Sequence, residues 1–284
     1  MLNIIIVNYL SSDEINLNLK KYSIIDENIK KLIKFIIVDN SGEFKVNDGV
    51  NEENISVLKA DNNLGYCGGN NLGYKYVNIN NPDSDILICN PDVKIDFIQL
   101  NEMIKIISEK QDGLYSIPAV NEYNELLYYR IKQKGLLESY IIIKPDEPLV
   151  KTDYCPGSYI YIKNNTYKLD YLFDEKFFMY WEEVDLALRF KSVGLSSYMI
   201  TNIGFIERHS NDKSRIYNAI YYHIRNAFLI RRKHKNVIPL LNFIYFLMIK
   251  FLVFSKKAFI NKDIEIFKCF IKGLFHGICN KIGK

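Results

Sequence analysis

Four short apolar runs, each ending in polar, turn-forming residues, constrain this chain more than any other feature: LNIIIVNY (2–9), FIIVDNSG (35–42), ISVLKA (55–60) and DILICNPDV (85–93). Runs of this length, rich in β-branched residues and almost without polar alternation, are the pattern of strands covered on both faces by helices. Between them, Ser11, Ser12 and Asp13 offer caps for a helix to about residue 23, and residues 96–110 carry helical spacing. This alternation predicts a doubly wound α/β sheet, whose ligands sit beyond the carboxyl ends of the strands. The polar tips Asn8, Asp39-Asn40-Ser41, 61–71 and Asn90-Pro91-Asp92 are expected to converge there.

One of those tips, NNLGYCGGNNLGYKY (62–76), places Gly65, Gly68, Gly69 and Gly73 within nine residues. A glycine cluster after a buried strand lets backbone approach a ligand and take positive φ. Its spacing does not fit GxGxxG, and GxxxxGK[ST] is absent, so the dinucleotide and P-loop fingerprints are not met. Alone, the stretch reads equally well as a strand-to-helix turn capped by asparagines. In combination it says more. Asp39 at a strand end can hydrogen-bond a base or ribose, the 62–73 loop can line a nucleotide, and Asp92 supplies a carboxylate where a divalent cation can bridge a diphosphate.

From 113 to 170 the short runs GLYSIPAV, LLYYRIK and SYIYIK and the turn CPGS suit a sheet edge and acceptor-side loops. FFMYWEEVDLALRFKSVG (177–194) predicts a helix ending at Gly194, and YMITNIGFIERH (198–209) a strand running into a loop. Five cysteines without a CxxC pair argue against a disulfide framework or zinc site and suit a reducing cytoplasm. The first apolar run lacks the basic start and cleavage site of a signal peptide, so the protein is expected not to be exported.

Charge divides the chain. Residues 1–207 carry 21 Lys and Arg against 30 Asp and Glu, whereas residues 208–284 carry 16 against 3. The tail is also aromatic and helical in pattern: IYNAIYYHIRNAFLIRRKHK, then NVIPLLNFIYFLMIKFLVF, then IFKCFIKGLFHGICNKIGK. Pro239, Asn242 and Lys250 interrupt the middle stretch, so it is expected to lie in a membrane interface rather than cross it. A helical cap packed on the body, or pairing with a second copy, fits the same stripe.

The stretches IIIVNY, IIVDNS, NNLGYCGGNNLGY, LICNPDV, FDEKFFMYWEEVDLALRFKSVG and HSNDKS followed by IRN, in this order, resemble a family 2 glycosyltransferase of the GT-A fold, in particular the rhamnosyltransferase-like branch that builds bacterial surface polysaccharides. The resemblance implies a GT-A catalytic domain over 1–212, Rossmann-like with a mostly parallel central sheet between helices, and a membrane-associating helical extension over 213–284. It implies a nucleoside-diphosphate sugar as donor, dTDP-rhamnose before UDP-hexose, and a glycan or lipid-diphosphate-linked acceptor at the cytoplasmic face of the inner membrane; nucleic acid is not expected. Carried onto matching positions, Asn90-Pro91-Asp92 is similar to a metal-binding DxD motif with its first acid replaced. Asp92 and His209 would then hold Mg²⁺ or Mn²⁺. Asn8, Tyr9, Asp39, Asn40, Asn63, Gly65, Gly69, Asn70, Asn90 and Trp181 would line the nucleotide sugar. Trp181-Glu182-Glu183-Val184-Asp185 corresponds to the acidic motif that supplies the general base, with Glu183 in its second position and Glu182 and Asp185 as alternatives. An NAD-dependent enzyme or nucleotidyltransferase on a similar sheet, or a GT-A-like scaffold without turnover, are the competing expectations.

Overall fold

The computed structural model describes all residues except 52, 122, 124, 164–168 and 208–212. The four apolar runs become β1 (Leu2–Asn8), β2 (Ile33–Asp39), β3 (Ile55–Lys59) and β4 (Asp85–Cys89). Between and after them come α1 (Ser12–Ser23), α2 (Glu27–Lys30), α3 (Gly65–Asn80), β5 (Val93–Lys94) and α4 (Phe97–Ser108). The middle of the chain forms β6 (Gly113–Ser116), β7 (Arg130–Lys134), β8 (Leu137–Ile141), β9 (Leu149–Thr152), β10 (Tyr159–Ile162), α5 (Glu182–Ser192), β11 (Ser196–Ile200) and β12 (Ile206–Glu207). Three helices end it: α6 (Lys213–Lys233), α7 (Leu240–Ile260) and α8 (Ile264–Ile278).

The central sheet runs β3-β2-β1-β4-β10-β6-β11-β9. Strands β1 to β4 are mutually parallel, and β6 and β11 are parallel to each other, while β10 and β9 run against their neighbours. The chain passes from β1 outward to β2 and β3, then back across to β4, which makes the β1/β4 boundary the switch point at which α/β sheets open a crevice. Register brings the polar tips together there: Asn8 pairs with Asp39, and the Asn40 amide N–H donates to Asn8 O at 2.9 Å.

The structure changes the reading of the glycines, because the residues expected to form a ligand-lining loop lie inside α3. A Cβ on Gly69 would sit 2.7 Å from Val7 Cγ1, and one on Gly73 2.6 Å from Ile5 Cγ2. These two glycines let α3 lie directly on β1, a packing in which any larger residue displaces the sheet core. Gly65 alone needs its conformational freedom. It has φ +71° at the first position of α3, with the Phe178 ring where a Cβ would be.

The helix expected from residue 177 begins at Glu182. Phe178, Tyr180 and Trp181 have φ of 66°, 68° and 76°, which a right-handed helix cannot contain. Beyond α5, one hydrophobic cluster runs from Ile5, Ile36 and Ile88 of the sheet through Trp181 and Phe190 to Ile224, Phe246 and Phe270 of the last three helices. α8 seats on α6 through Gly273 and Gly277, whose missing side chains make room for Tyr221 O and the Phe228 ring. Among the described residues no helix is long and apolar enough to cross a membrane.

Candidate active site

At the carboxyl ends of β1 and β2 the predicted residues brace one another. Asn8 Nδ2 donates to Asp39 Oδ1 and Ser41 Oγ, both at 3.0 Å, and the Asp39 carboxylate also accepts from Ser41 N and Gly42 N at 3.0 Å and Phe44 N at 2.9 Å. Burial works against charging Asp39, but hydrogen bonds from Phe44, Ser41 and Asn8 outweigh it and hold its carboxyl below the ordinary carboxylate range. Asn8 and Asp39 are fully buried and shape the 41–44 turn, and Tyr9 is half exposed. Asn63 Oδ1 caps the start of α3 through Gly65 N at 2.9 Å. Asn40 Nδ2 donates to Gly65 O at 3.0 Å and Asn70 Nδ2 to Tyr66 O at 2.9 Å, leaving Asn40 Oδ1 and Asn70 Oδ1 buried without a hydrogen-bond partner. Buried acceptors in that condition cost about 1–3 kcal/mol each.

Asn90 follows β4 and is tied back by its N–H to Ser158 O at 3.0 Å. Two residues on, Asp92 Oδ2 takes an ion pair from Arg215 of α6 at 3.1 Å, while Asp92 Oδ1 is buried and unpartnered. Among the described residues no three His, Cys, Asp or Glu side chains cluster to hold a metal. His209, the other expected ligand, lies outside the described residues. One carboxylate oxygen awaiting a partner fits a Mg²⁺ or Mn²⁺ ion that takes its remaining ligands from diphosphate and water.

The acidic motif opens α5. Glu182 is buried and Glu183 half-buried, and Oε2 of each has no hydrogen-bond partner. Burial, then the neighbouring charge of Glu183, pushes Glu182 well above the usual carboxylate range; burial pushes Glu183 up to about 7. Facing them is Gly157 of the CPGS turn, at whose Cβ position Tyr66 OH would be 3.7 Å away and Glu182 Oε1 and Glu183 Cβ each 4.0 Å. The Tyr66 hydroxyl donates to Gly157 O, and burial followed by the two glutamates raises its own pKa. Asp185 does not join this group. It is buried where Arg189 (2.9 Å), Lys233 (2.9 Å) and His234 (2.8 Å) surround its carboxylate, and these partners overcome burial to hold its pKa down.

Residues that the sequence reading passed over build the floor of this site. Asn226 of α6, fully buried, donates from Nδ2 to Phe177 O (2.9 Å), Met179 O (2.7 Å) and Tyr180 O (3.1 Å), fixing the left-handed loop before Glu182. Arg225 donates beside it to Phe177 O at 2.8 Å and stacks its guanidinium over Tyr222, 4.8 Å from the ring centroid. Trp181, expected to line the nucleotide sugar, is buried against α6: its Nε1–H donates to His223 O at 2.9 Å and its ring stacks on the His223 imidazole. Asn71, next to the glycines, staples α3 to the 172–175 turn by accepting from Leu172 N and Phe173 N and donating to Phe173 O and Glu175 Oε1.

No protein-family model matches the chain. It is 27% identical to the low-salt glycan biosynthesis hexosyltransferase Agl10 of Haloferax volcanii, over 100% of this chain and 92% of that protein. It is 25% identical to the dTDP-rhamnosyl transferase RfbF of Shigella flexneri, over 78% of this chain and 75% of that one. Among solved structures, S. aureus TarS 1-349 in complex with UDP-GlcNAc superposes with a TM-score of 0.57 at 14% identity, covering 99% of this chain and 81% of that chain. The two sequence relatives are a hexosyltransferase and a dTDP-rhamnosyl transferase, and the fold, shared with TarS, is GT-A. The mannosyltransferase PcManGT of Pyrobaculum calidifontis, solved with GDP-Man and Mn²⁺, shares that fold at a TM-score of 0.54 and 10% identity, over 99% of this chain and 86% of that chain. In a GT-A sheet the β1/β4 crevice and the start of α5 lie at the carboxyl-end face, the side on which the unpartnered oxygens of Asn40, Asp92 and Glu183 are found.

Proposed function

We propose that the protein is an inverting glycosyltransferase that moves a sugar from a nucleoside-diphosphate donor, dTDP-rhamnose in the first instance and a UDP-hexose next, to a hydroxyl of a glycan or lipid-linked acceptor. The observation that carries the reading is Glu183: a carboxylate with an unpartnered oxygen, pushed up to about 7, at the mouth of the Tyr66–Gly157 wall. A base that titrates near neutral pH is matched to removing a hydroxyl proton. In the reaction, the acceptor oxygen attacks the anomeric carbon as its proton passes to Glu183, and the bond from that carbon to the diphosphate oxygen breaks on the opposite face, so configuration inverts. Asn40 and Asn70 offer carbonyl oxygens to the donor's N–H or hydroxyl groups, and Arg215, released from Asp92, can meet the departing diphosphate. Asp92, with His209 as its expected partner, would hold Mg²⁺ or Mn²⁺, which when bound neutralises diphosphate charge.

Residues 213–284 have two tasks in this proposal. α6 positions the acid loop, and α7 and α8 carry exposed apolar residues such as Leu241, Phe259 and Phe275 among lysines, a surface suited to lying on anionic headgroups at the cytoplasmic face of the inner membrane. The test is a thermal-shift screen of dTDP, UDP, GDP and NAD with and without Mn²⁺, paired with product analysis from the matching sugar nucleotides. A metal-dependent rise with one nucleoside diphosphate, lost in Asp92→Ala, and product formation lost in Glu183→Gln with the nucleotide shift retained, are the expected results. No shift with any nucleoside diphosphate refutes the proposal, and a shift without product in the native enzyme turns it into a binding scaffold.

A further inference from the structure

A cleft of about 610 Å³ opens between α6, α7 and the start of α8. Three ammonium groups line it: Lys213 on α6, and Lys250 and Lys257 seven residues apart on one face of α7 with Phe254 between them. Among the described residues none of the three has an ion pair within 4 Å, although Lys250 lies 5.3 Å from the Phe246 ring centroid and feels the carboxylate of Glu138 on β8. Asp263 is the single acid in the lining, and its carboxylate is engaged by Tyr217 OH at 2.7 Å and by Glu265 N at 3.1 Å. The remaining wall is largely apolar, from Ile216, Ile220, Phe254 and Ile266, and exposed Ile260 and Ile264 flank its α7–α8 side. His223 Nε2, also in the lining, is buried without a hydrogen-bond partner.

Three classes of occupant can be separated by this chemistry. A free inorganic anion would satisfy the lysines and leave the apolar wall wet. A plain hydrocarbon would cover the wall and strip water from Lys213 and Lys257, which have no ion pair, and from Lys250, which is only partly compensated by Glu138, and that is costly. A phosphate carried on an apolar tail satisfies both at once.

We infer that the cleft binds a phosphate or diphosphate group borne on an apolar chain, with Lys213, Lys250 and Lys257 on the phosphate oxygens and Ile216, Phe254 and Ile266 on the first carbons of the tail. The cleft meets the acid site through two residues: Tyr180 lines it three positions before Glu183, and His223 stacks on Trp181 with ring centroids 4.8 Å apart. What the ligand is for rests on the glycosyl-transfer reading: it is the lipid end of the acceptor, whose sugar extends past Tyr180 to Glu183.

Trp181 is the chain's single tryptophan and reports on this cleft through the His223 ring on which it stacks. Its fluorescence is to be titrated with farnesyl diphosphate below its aggregation limit, with inorganic pyrophosphate, with farnesol and with phosphatidylglycerol vesicles, on the full chain. A saturable change with farnesyl diphosphate is expected, weakened at least about tenfold in Lys250→Ala/Lys257→Ala and in Lys213→Ala, and weakened by salt. Equal affinity for pyrophosphate or for farnesol overturns the inference, as does unchanged affinity in both lysine variants; binding to the vesicles alone assigns the phosphate to a bilayer headgroup and overturns the acceptor role. The nucleoside-diphosphate thermal shift is read on the same samples. If it is absent while farnesyl diphosphate still binds, the glycosyl-transfer reading fails and the cleft stands; if it persists while farnesyl diphosphate does not bind, the reverse holds.

Discussion

Replacing Asn226 by leucine tests whether α6 holds the acid loop in place. The amide is fully buried and donates to three carbonyls spanning Phe177 to Tyr180, the segment whose left-handed residues Phe178, Tyr180 and Trp181 deliver Glu182 and Glu183 to the crevice. Leucine fills nearly the same volume, so the lost term is polar. Phe177 O keeps Arg225 Nη2 at 2.8 Å, while Met179 O and Tyr180 O lose the amide. Each carbonyl deprived of its donor costs about 1–3 kcal/mol, and non-glycine residues at positive φ persist only where their surroundings over-determine them. The expected destabilisation is about 2–5 kcal/mol, a fall in Tm of roughly 5–15 °C for a domain of this size. Urea unfolding gives the energy and limited proteolysis between 177 and 181 locates the loosening. Nucleotide binding should fall less than transfer, because Asn40 and Asn70 meet this loop only through the start of α3, where Gly65 and Cys67 pack on Phe178. Stability within about 0.5 kcal/mol of the native protein together with unchanged transfer would falsify the argument, since surface substitutions without structural role fall in that range.

Three further outcomes follow from the same contacts. Glu182→Gln should raise stability at pH 8: Glu182 titrates higher folded than unfolded, so native stability falls as pH climbs from the unfolded value near 4.3 toward the folded one, and glutamine flattens that decline in a series of Tm values against pH. Asp185→Asn should cost about 1–3 kcal/mol at neutral pH, because Arg189 and His234 lose the carboxylate while Lys233 keeps Asp174 at 2.8 Å, and because the folded pKa is depressed the native contribution is lost only as pH falls below about 3.9 through that lower value; unfolding at pH 7 and pH 3 distinguishes this from a packing defect. Gly73→Ala should cost about 1–3 kcal/mol, since the new methyl meets Ile5 of β1 at 2.6 Å, and an alanine that proves neutral by calorimetry would show that α3 can slide on the sheet.

The strands β1, β2 and β4 were legible because each is buried on both faces and so spells itself as an apolar run with a polar tip, whereas β3, half-buried at the sheet edge, was legible only as a short β-branched run between turns. β8 and β9 were not, since LESYI and LVKT alternate or mix exposures at the edges of sheets and resemble loop. The glycines carried a true signal with two meanings that sequence cannot separate. Gly65 takes a positive φ at the rim of the crevice, whereas Gly69 and Gly73 are small because a sheet lies against them, and both demands read as the same letter.

The site shows a related limit. The acidic cluster was legible, but which of its members faces Gly157 depends on where α5 begins, and helical spacing alone placed that start five residues early. The positive φ values of Phe178, Tyr180 and Trp181 have no signature in side-chain type, because the conformation is imposed from outside by Asn226, Arg225 and His223 some 45 residues later in the chain. Moving the start of the helix to Glu182 turns Asp185 toward Lys233 and leaves Glu182 and Glu183 opposite Gly157. Which acid is presented to Gly157 is thus set by α6, an element that composition alone assigned to the basic tail. A truncation at residue 212 therefore bears on both proposals at once: it removes Asn226 from the acid loop and all three cleft helices, and the fragment should keep neither transfer nor farnesyl diphosphate binding.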